Sequence, residues 1–245
     1  MAGIEAVTFD LWFTLIAHDH LYDDRLRAAR TAGIRDALEA EGISVTDDAI
    51  TRAYATSEGY LQQRWSRNLD VDTPEQVEIL LKCIGIKPTP ELVNAVDKPY
   101  SDAILHVEPD LVDGAEEVLD SLNSTGVKLG LISNTGRTPG RSMRKIMDRL
   151  GILRYFKVTT FSNEAGYLKP DGRIFASTLD LLRTVPEKAV HVGDHPMLDV
   201  QGSKEFGMKC IHFTRYAPAI KAPHAPDRAV ETLRQIPEAI SHLDR

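Results

Sequence analysis

The sequence predicts an α/β fold, a three-layer arrangement of a parallel sheet between helices, with an all-helical module inserted near its start. Three observations carry this. From Val107 onward, short Val/Ile/Phe-rich segments alternate with amphipathic ones, the signature of a parallel sheet covered by helices on both faces. Residues 23–105 show only three- and four-residue apolar spacing, with no strand-like run. Ahead of them the apolar β-type stretch Val7-Thr8-Phe9 stops at a carboxylate, Asp10, with a hydroxyl, Thr14, four residues on.

Taken in order, the first strand ends at Asp10 and the helical module occupies 16–108, which leaves 1–15 and 109–245 as the core. Inside the module Ile50, Ala53, Tyr54, Ser57, Leu61 and Trp65 form one helical stripe, and Val77, Leu80, Leu81 and Ile84 form another. Thr73-Pro74-Glu75-Gln76 reads as a helix start with proline in the first turn, and Lys87-Pro88-Thr89-Pro90 as the break before the next helix. The core then alternates: helix 113–125, strand 127–132, helix 139–150, strand 157–161, helix 171–184, strand 189–193, helix 199–206 and strand 208–213. An edge strand near 227–231 and a closing helix near 237–243 complete it.

The 245 residues suffice for a sizeable buried core. A net charge of −7 argues against nucleic acid or an anionic membrane as partner, because phosphate surfaces demand clustered Lys and Arg. The basic run from Arg137 to Arg149 reads as a solvated helix face. Cys83 and Cys210 sit far apart in apolar patterns, as buried thiols rather than a disulfide, which fits a reducing cytoplasm. No secretion signal and no membrane-length apolar run is apparent, so the expected partner is a small-molecule substrate, with oligomeric state left open.

Ligands of parallel-sheet folds bind beyond the carboxyl ends of the strands. Asp10, Ser133 and Asp194 all fall there, so topology alone converges them on one crevice. The neighbouring residues are chemically apt. Val127 to Ile132 leads into Ser133-Asn134-Thr135, Lys169-Pro170-Asp171 follows Gly166-Tyr167-Leu168, and Ala189 to Val192 leads into Gly193-Asp194 with Asp199 five residues on. In residue type and order, these segments and the one ending at Asp10 resemble the four motifs of the haloacid dehalogenase-like hydrolases. That resemblance implies a Rossmann-like core and a helical cap after the first motif. It runs from about Ile4 to the chain end, with 16–108 matched only in length and helical character. One position departs from the family's phosphatases: Trp12 stands where they carry a second Asp.

Two acids, a hydroxyl and a lysine around one crevice suit phosphoryl transfer, which consists mostly of positioning and charge neutralisation. The resemblance implies Asp10 as a covalent nucleophile and Mg²⁺ held by Asp10, Asp194 and the backbone carbonyl of Trp12. It implies phosphate contacts from Ser133 and charge neutralisation by Lys169. Asp199 would orient Lys169 or metal-bound water. Trp12, Thr14, Asn134 and Arg137 are expected near substrate, and His195, beside Asp194, is a candidate substitute for the missing acid. The favoured expectation is a Mg²⁺-dependent phosphatase acting on a small metabolite. Two alternatives stand beside it: a metal-free 2-haloacid dehalogenase, towards which Trp12 points, and a catalytically weak binding or regulatory protein. His18-Asp19-His20 reads as polar surface.

Overall fold

The computed structural model describes residues 3–243, so the outermost residues of the expected core, 1–2 and 244–245, lie outside it. Six strands form one parallel sheet: β1 (Ala6–Phe9), then β4 (Lys128–Ser133), β5 (Val158–Phe161), β6 (Ala189–Gly193), β7 (Lys209–Phe213) and β8 (Arg228–Val230). Their order is β5-β4-β1-β6-β7-β8. β1 and β6 are buried at every residue, as strands covered on both faces must be, whereas the edge strand β8 is mostly exposed. Phe9 lies level with Leu131 of β4 and Val192 of β6. This register brings the residues that follow all three strands to one rim.

Helices α5 (Ala115–Ser124), α6 (Gly140–Arg149), α7 (Ser162–Ala165), α8 (Gly172–Leu182), α9 (Gly202–Glu205) and α10 (Ile236–Leu243) connect and cover the sheet. Helices α1 (Tyr22–Ala40), α2 (Asp47–Trp65), α3 (Thr73–Ile84) and α4 (Pro90–Asp102) fill the region read as all-helical. Their ends are set locally. Thr46, Asp72 and Thr89 each accept a backbone N–H at an N-cap, and Gly85 closes α3 in the left-handed conformation that costs glycine least. The four helices share their own apolar core of Ile34, Leu38, Ile50, Val77, Leu80 and Val96, among others. Tyr22 and Leu26, at the start of α1, instead join the sheet-side core with Phe9 and Leu11.

Most expected elements appear within a residue or two of their sequence-based limits. The short helix α7 had no counterpart in the expected order, and three further features differ from it. The chain leaves the sheet and returns to it through a short antiparallel pair, β2 (Ile16–Ala17) with β3 (Asp110–Leu111). The expected helix 199–206 begins instead as a π-helical turn, Pro196–Gln201. The basic run on α6 is not simply solvated: Arg141, Lys145 and Arg149 pair with Asp97, Asp102 and Glu108, tying this core helix to α4 and the segment after it. Both cysteines are free, Cys210 buried and Cys83 partly so. No helix among the described residues is long and apolar enough to cross a membrane.

Candidate active site

Asp10 extends β1 by one residue, its N–H donating to the Val192 carbonyl at 2.8 Å. The chain then turns sharply: the Leu11 carbonyl accepts from Leu15 and Ile16, and Phe13 takes a left-handed φ of 58°. This turn leaves Trp12 bracketed by the bonds from Ile16 N–H to the Leu11 carbonyl and from Phe13 N–H to the Ile16 carbonyl, neither of which uses the Trp12 carbonyl. It also folds Thr14 back, so that its hydroxyl donates to Asp10 Oδ2 at 3.3 Å.

The other oxygen of Asp10 accepts from Lys169 Nζ at 2.5 Å, and the same ammonium donates to Asp199 Oδ1 at 2.6 Å. Lys169 is 2% exposed, which fixes it as the central cation of the site. Asn134 holds it in place from behind: its Oδ1 accepts from Lys169 N–H at 2.8 Å and its Nδ2 donates to the Lys169 carbonyl at 3.1 Å. Asn134, expected near substrate, is therefore engaged with the lysine's backbone.

The fourth segment is assembled just as tightly. Asp199 Oδ2 accepts the His195 N–H at 2.9 Å, closing the π-helical turn back on the end of β6. A Cβ on Gly193 would collide with the Asp199 carboxyl, so only glycine permits this approach. His195 Nδ1 accepts the N–H groups of Met197 and Leu198, capping the turn. That leaves Nε2 to carry the ring proton, and burial holds the imidazole pKa below its ordinary value. One carboxylate oxygen from each of Asp10, Asp194 and Asp199 lies within 4.8 Å of the others.

Three carboxylates face one ammonium here, and the protonation equilibria reflect it. Burial raises Asp194 to about 8, reinforced by repulsion from Asp10 and Asp199. Burial likewise raises Asp10 to about 6, with Lys169 only partly offsetting it. Burial works against Asp199 too, but Lys169 and the His191 hydrogen bond outweigh it and hold that carboxyl well below the usual range. Lys169 is desolvated, yet Asp10 and Asp199 keep it firmly protonated.

The remaining candidates occupy different places. Ser133 is fully buried at the end of β4, its hydroxyl 3.5 Å from the Asn134 carbonyl. Trp12 borders a cavity of about 330 Å³ above the strand ends, together with Tyr22, Arg30 and Arg137. Arg137 is committed to the helical module: it donates to Glu58, the Tyr100 hydroxyl, the Tyr54 carbonyl and Ser57. That occupies four of its five N–H groups.

Sequence reasoning missed two buried groups. His191, inside β6, lies 3.1 Å from Asp199 Oδ1 through Nε2 and 2.8 Å from the Thr8 hydroxyl through Nδ1. A neutral ring satisfies both contacts, donating to the carboxylate and accepting from Thr8. Its signal was a lone imidazole in the apolar run Ala-Val-His-Val. Asp70, between α2 and α3, accepts from Ser162 at 2.5 Å and Trp65 at 2.8 Å, and its N–H reaches the Gly166 carbonyl. It joins the helical module to the loop that carries Lys169, and nothing local in the sequence signals that.

A buried acid cluster with one lysine lies at the carboxyl edge of the parallel sheet, where ligands of such folds bind. The sequence profile of the haloacid dehalogenase-like hydrolases matches residues 4–207, and the chain belongs to that family. It is 29% identical to a glyceraldehyde 3-phosphate phosphatase of Methanopyrus kandleri over 98% of both chains. Among solved structures it is similar to a 2-haloacid dehalogenase of Pseudomonas syringae, with TM-score 0.72 and 23% identity over 98% of this chain and 99% of that one. A haloacid dehalogenase-family phosphatase of Thermococcus onnurineus gives TM-score 0.61 and 22% identity over 96% of each. At these identities the structural likenesses speak for the fold alone.

Proposed function

We propose that the protein is a Mg²⁺-dependent phosphatase of small phosphorylated metabolites, with Asp10 as nucleophile. One observation carries this reading: the three buried carboxylates within 4.8 Å outnumber their single lysine. Such an excess is relieved by a proton or by a cation, and an all-oxygen donor set suits a hard divalent ion. Asp199 is already bound to Lys169, His191 and the His195 N–H, which leaves Asp10, Asp194 and the Trp12 carbonyl to hold Mg²⁺. When bound, the ion would neutralise charge between nucleophile and phosphate. The whole-length relative named as a phosphatase supports the same class of substrate.

In this reading Asp10 attacks phosphorus, the ester oxygen departs, and water then releases phosphate from the aspartyl-phosphate. Thr14 and Lys169 orient the attacking carboxylate, and Ser133 and Lys169 hold phosphate oxygens. Asn134 positions Lys169. We take the core as 1–15 and 109–245 and the cap as 16–108, hinged where β2 and β3 pair, so that the four helices keep water from the crevice. The free thiols fit work in a reducing cytoplasm. Trp12 supplies no proton to the leaving group, so esters with acidic leaving groups should react best. Trp12 is also what favours the second reading, metal-free dehalogenation, in which Asp10 displaces halide from carbon and water cleaves the resulting ester.

Metal dependence separates the two. EDTA should suppress turnover of a phosphate ester and Mg²⁺ restore it, whereas halide release from a 2-haloacid that persists in EDTA would establish the rival. Asp194→Asn provides a folding readout of the same site. Because folding raises the Asp194 pKa from 3.8 to about 8, the folded protein keeps a proton that the unfolded chain has lost across that window. Metal-free stability therefore falls as pH rises through it. Above pH 8 in EDTA, Asp194→Asn should raise stability, read as a higher Tm than the native chain's. It should also remove the further rise that Mg²⁺ gives the native chain. A Tm equally responsive to Mg²⁺ in the variant would place the ion elsewhere.

Trp12→Asp tests the leaving-group argument. The folded variant should gain about 10²-fold or more in kcat/KM for alkyl phosphates relative to aryl phosphates, since only alkyl leaving groups need a proton donor. Trp12 makes edge contacts with His18 and Tyr22, so circular dichroism and Tm must accompany the kinetics. An unchanged alkyl-to-aryl ratio in a folded, Mg²⁺-binding variant would mean that position 12 is not the missing acid.

A further inference from the structure

The buried stripe of α1 reads Tyr22, Leu26, Arg30, Ile34, Leu38 at strict four-residue spacing, a core-facing pattern with a cation in its middle. A guanidinium placed there needs compensation. Arg30 is 3% exposed, and its hydrogen-bond partners are all neutral: the Tyr100 carbonyl at 2.9 Å, the Tyr54 hydroxyl at 2.8 Å and the Thr138 hydroxyl at 2.8 Å. Two of its five N–H groups remain uncommitted. Nearby Arg27 and Arg137 pair with Asp24 and Glu58, but among the described residues no carboxylate lies within ion-pair distance of Arg30.

A second, independent observation sits on the same stripe. Tyr22 is 1% exposed, and among the described residues its hydroxyl has no hydrogen-bond partner. Leaving a buried hydroxyl unmatched is costly. Burial also raises its pKa, so it stays a neutral donor. Tyr22 and Arg30 both border the cavity of about 330 Å³ that lies between Trp12, two residues past Asp10, and Thr135, two past Ser133. Asp23, the carboxylate on that lining, is solvent-exposed and screened by water.

Resting on the phosphatase reading of the Asp10 site, we propose that Tyr22 and Arg30 form a receptor for a carboxylate on the leaving group, so that the enzyme prefers phosphate esters of small hydroxy acids. The guanidinium offers a planar pair of donors and net charge, and the phenol offers a third donor; together they match a carboxylate's lone pairs. A group held there would point the ester end at Asp10 and be shielded from water by α1.

The test compares two ligands that cannot be hydrolysed, phosphonoacetate and ethylphosphonate, which differ by a carboxylate in place of a methyl. Calorimetry on the full chain with Mg²⁺ should show phosphonoacetate binding about 10- to 100-fold more tightly. Arg30→Gln should bring the ratio of the two dissociation constants close to one, and Tyr22→Phe should lower it several-fold. Tyr22→Phe should also raise Tm, because it deletes an unmatched buried hydroxyl, so lost selectivity there cannot come from misfolding. Equal binding of both phosphonates by the native chain overturns the receptor and leaves the phosphatase reading standing. A Tm rise in Tyr22→Phe with the ratio unchanged also overturns the receptor. Failure of both phosphonates to bind in Mg²⁺ sinks both readings.

Discussion

Replacing Asp10 by Asn is expected to lower turnover by on the order of 10⁴-fold or more with any phosphate ester the native chain hydrolyses, because a neutral amide cannot form the covalent intermediate. The fold should survive. Asp10 shares Lys169 with Asp199, so the ammonium keeps a buried carboxylate partner in the variant. The change also removes a charge that repels Asp194. Circular dichroism and Tm should therefore stay near the native values while kcat collapses. Native-like turnover by Asp10→Asn would rule out covalent catalysis at this residue under both the phosphatase and the dehalogenase readings.

Lys169→Met is expected to have the largest effect on stability of any single change in the site. It strands Asp10 and Asp199, both nearly fully buried, without their common cation. Removing one partner from a buried ion pair costs about 3–5 kcal/mol, far more than the pair itself adds over an apolar substitute. The deficit should depend on pH. With the lysine gone, both carboxyls take up protons more readily when folded than when unfolded, so folding binds protons and stability recovers as pH falls. Urea unfolding should show a deficit that is largest near pH 8 and smaller near pH 5, with Mg²⁺ recovering part of it at the higher pH. A deficit independent of pH would show that lost packing, not stranded charge, is responsible.

The parts of the site that could be read from sequence are those fixed by strand topology. Asp10, Ser133 and Asp194 each follow an apolar run, and a parallel sheet aligns the ends of such runs, so their meeting needed no knowledge of side-chain contacts. Lys169 and Asp199 were legible through the motifs they sit in. What was hidden depends on partners distant in sequence. Arg137 looked like a substrate contact because its loop follows Ser133, yet its partners Tyr54, Ser57 and Glu58 lie on α2, in the helical module. His191 shares Asp199 with Lys169 only because the π-helical turn folds Asp199 back over Gly193, a local geometry that apolar periodicity does not encode. Nothing in the sequence singles out Arg30. Only the packed structure separates it from Arg25 and Arg27, which remain exposed.

The most direct test of the account is where phosphorus goes. The native enzyme with Mg²⁺ and a slowly hydrolysed aryl phosphate would be acid-quenched during steady turnover, reduced with borohydride and digested. An aspartyl-phosphate is reduced to the corresponding alcohol, which mass spectrometry locates by sequence. The expected result is homoserine in place of Asp10, absent when EDTA is included and absent from Asp194 and Asp199. Continued phosphate release with no conversion at Asp10, or conversion at another carboxylate, would contradict it.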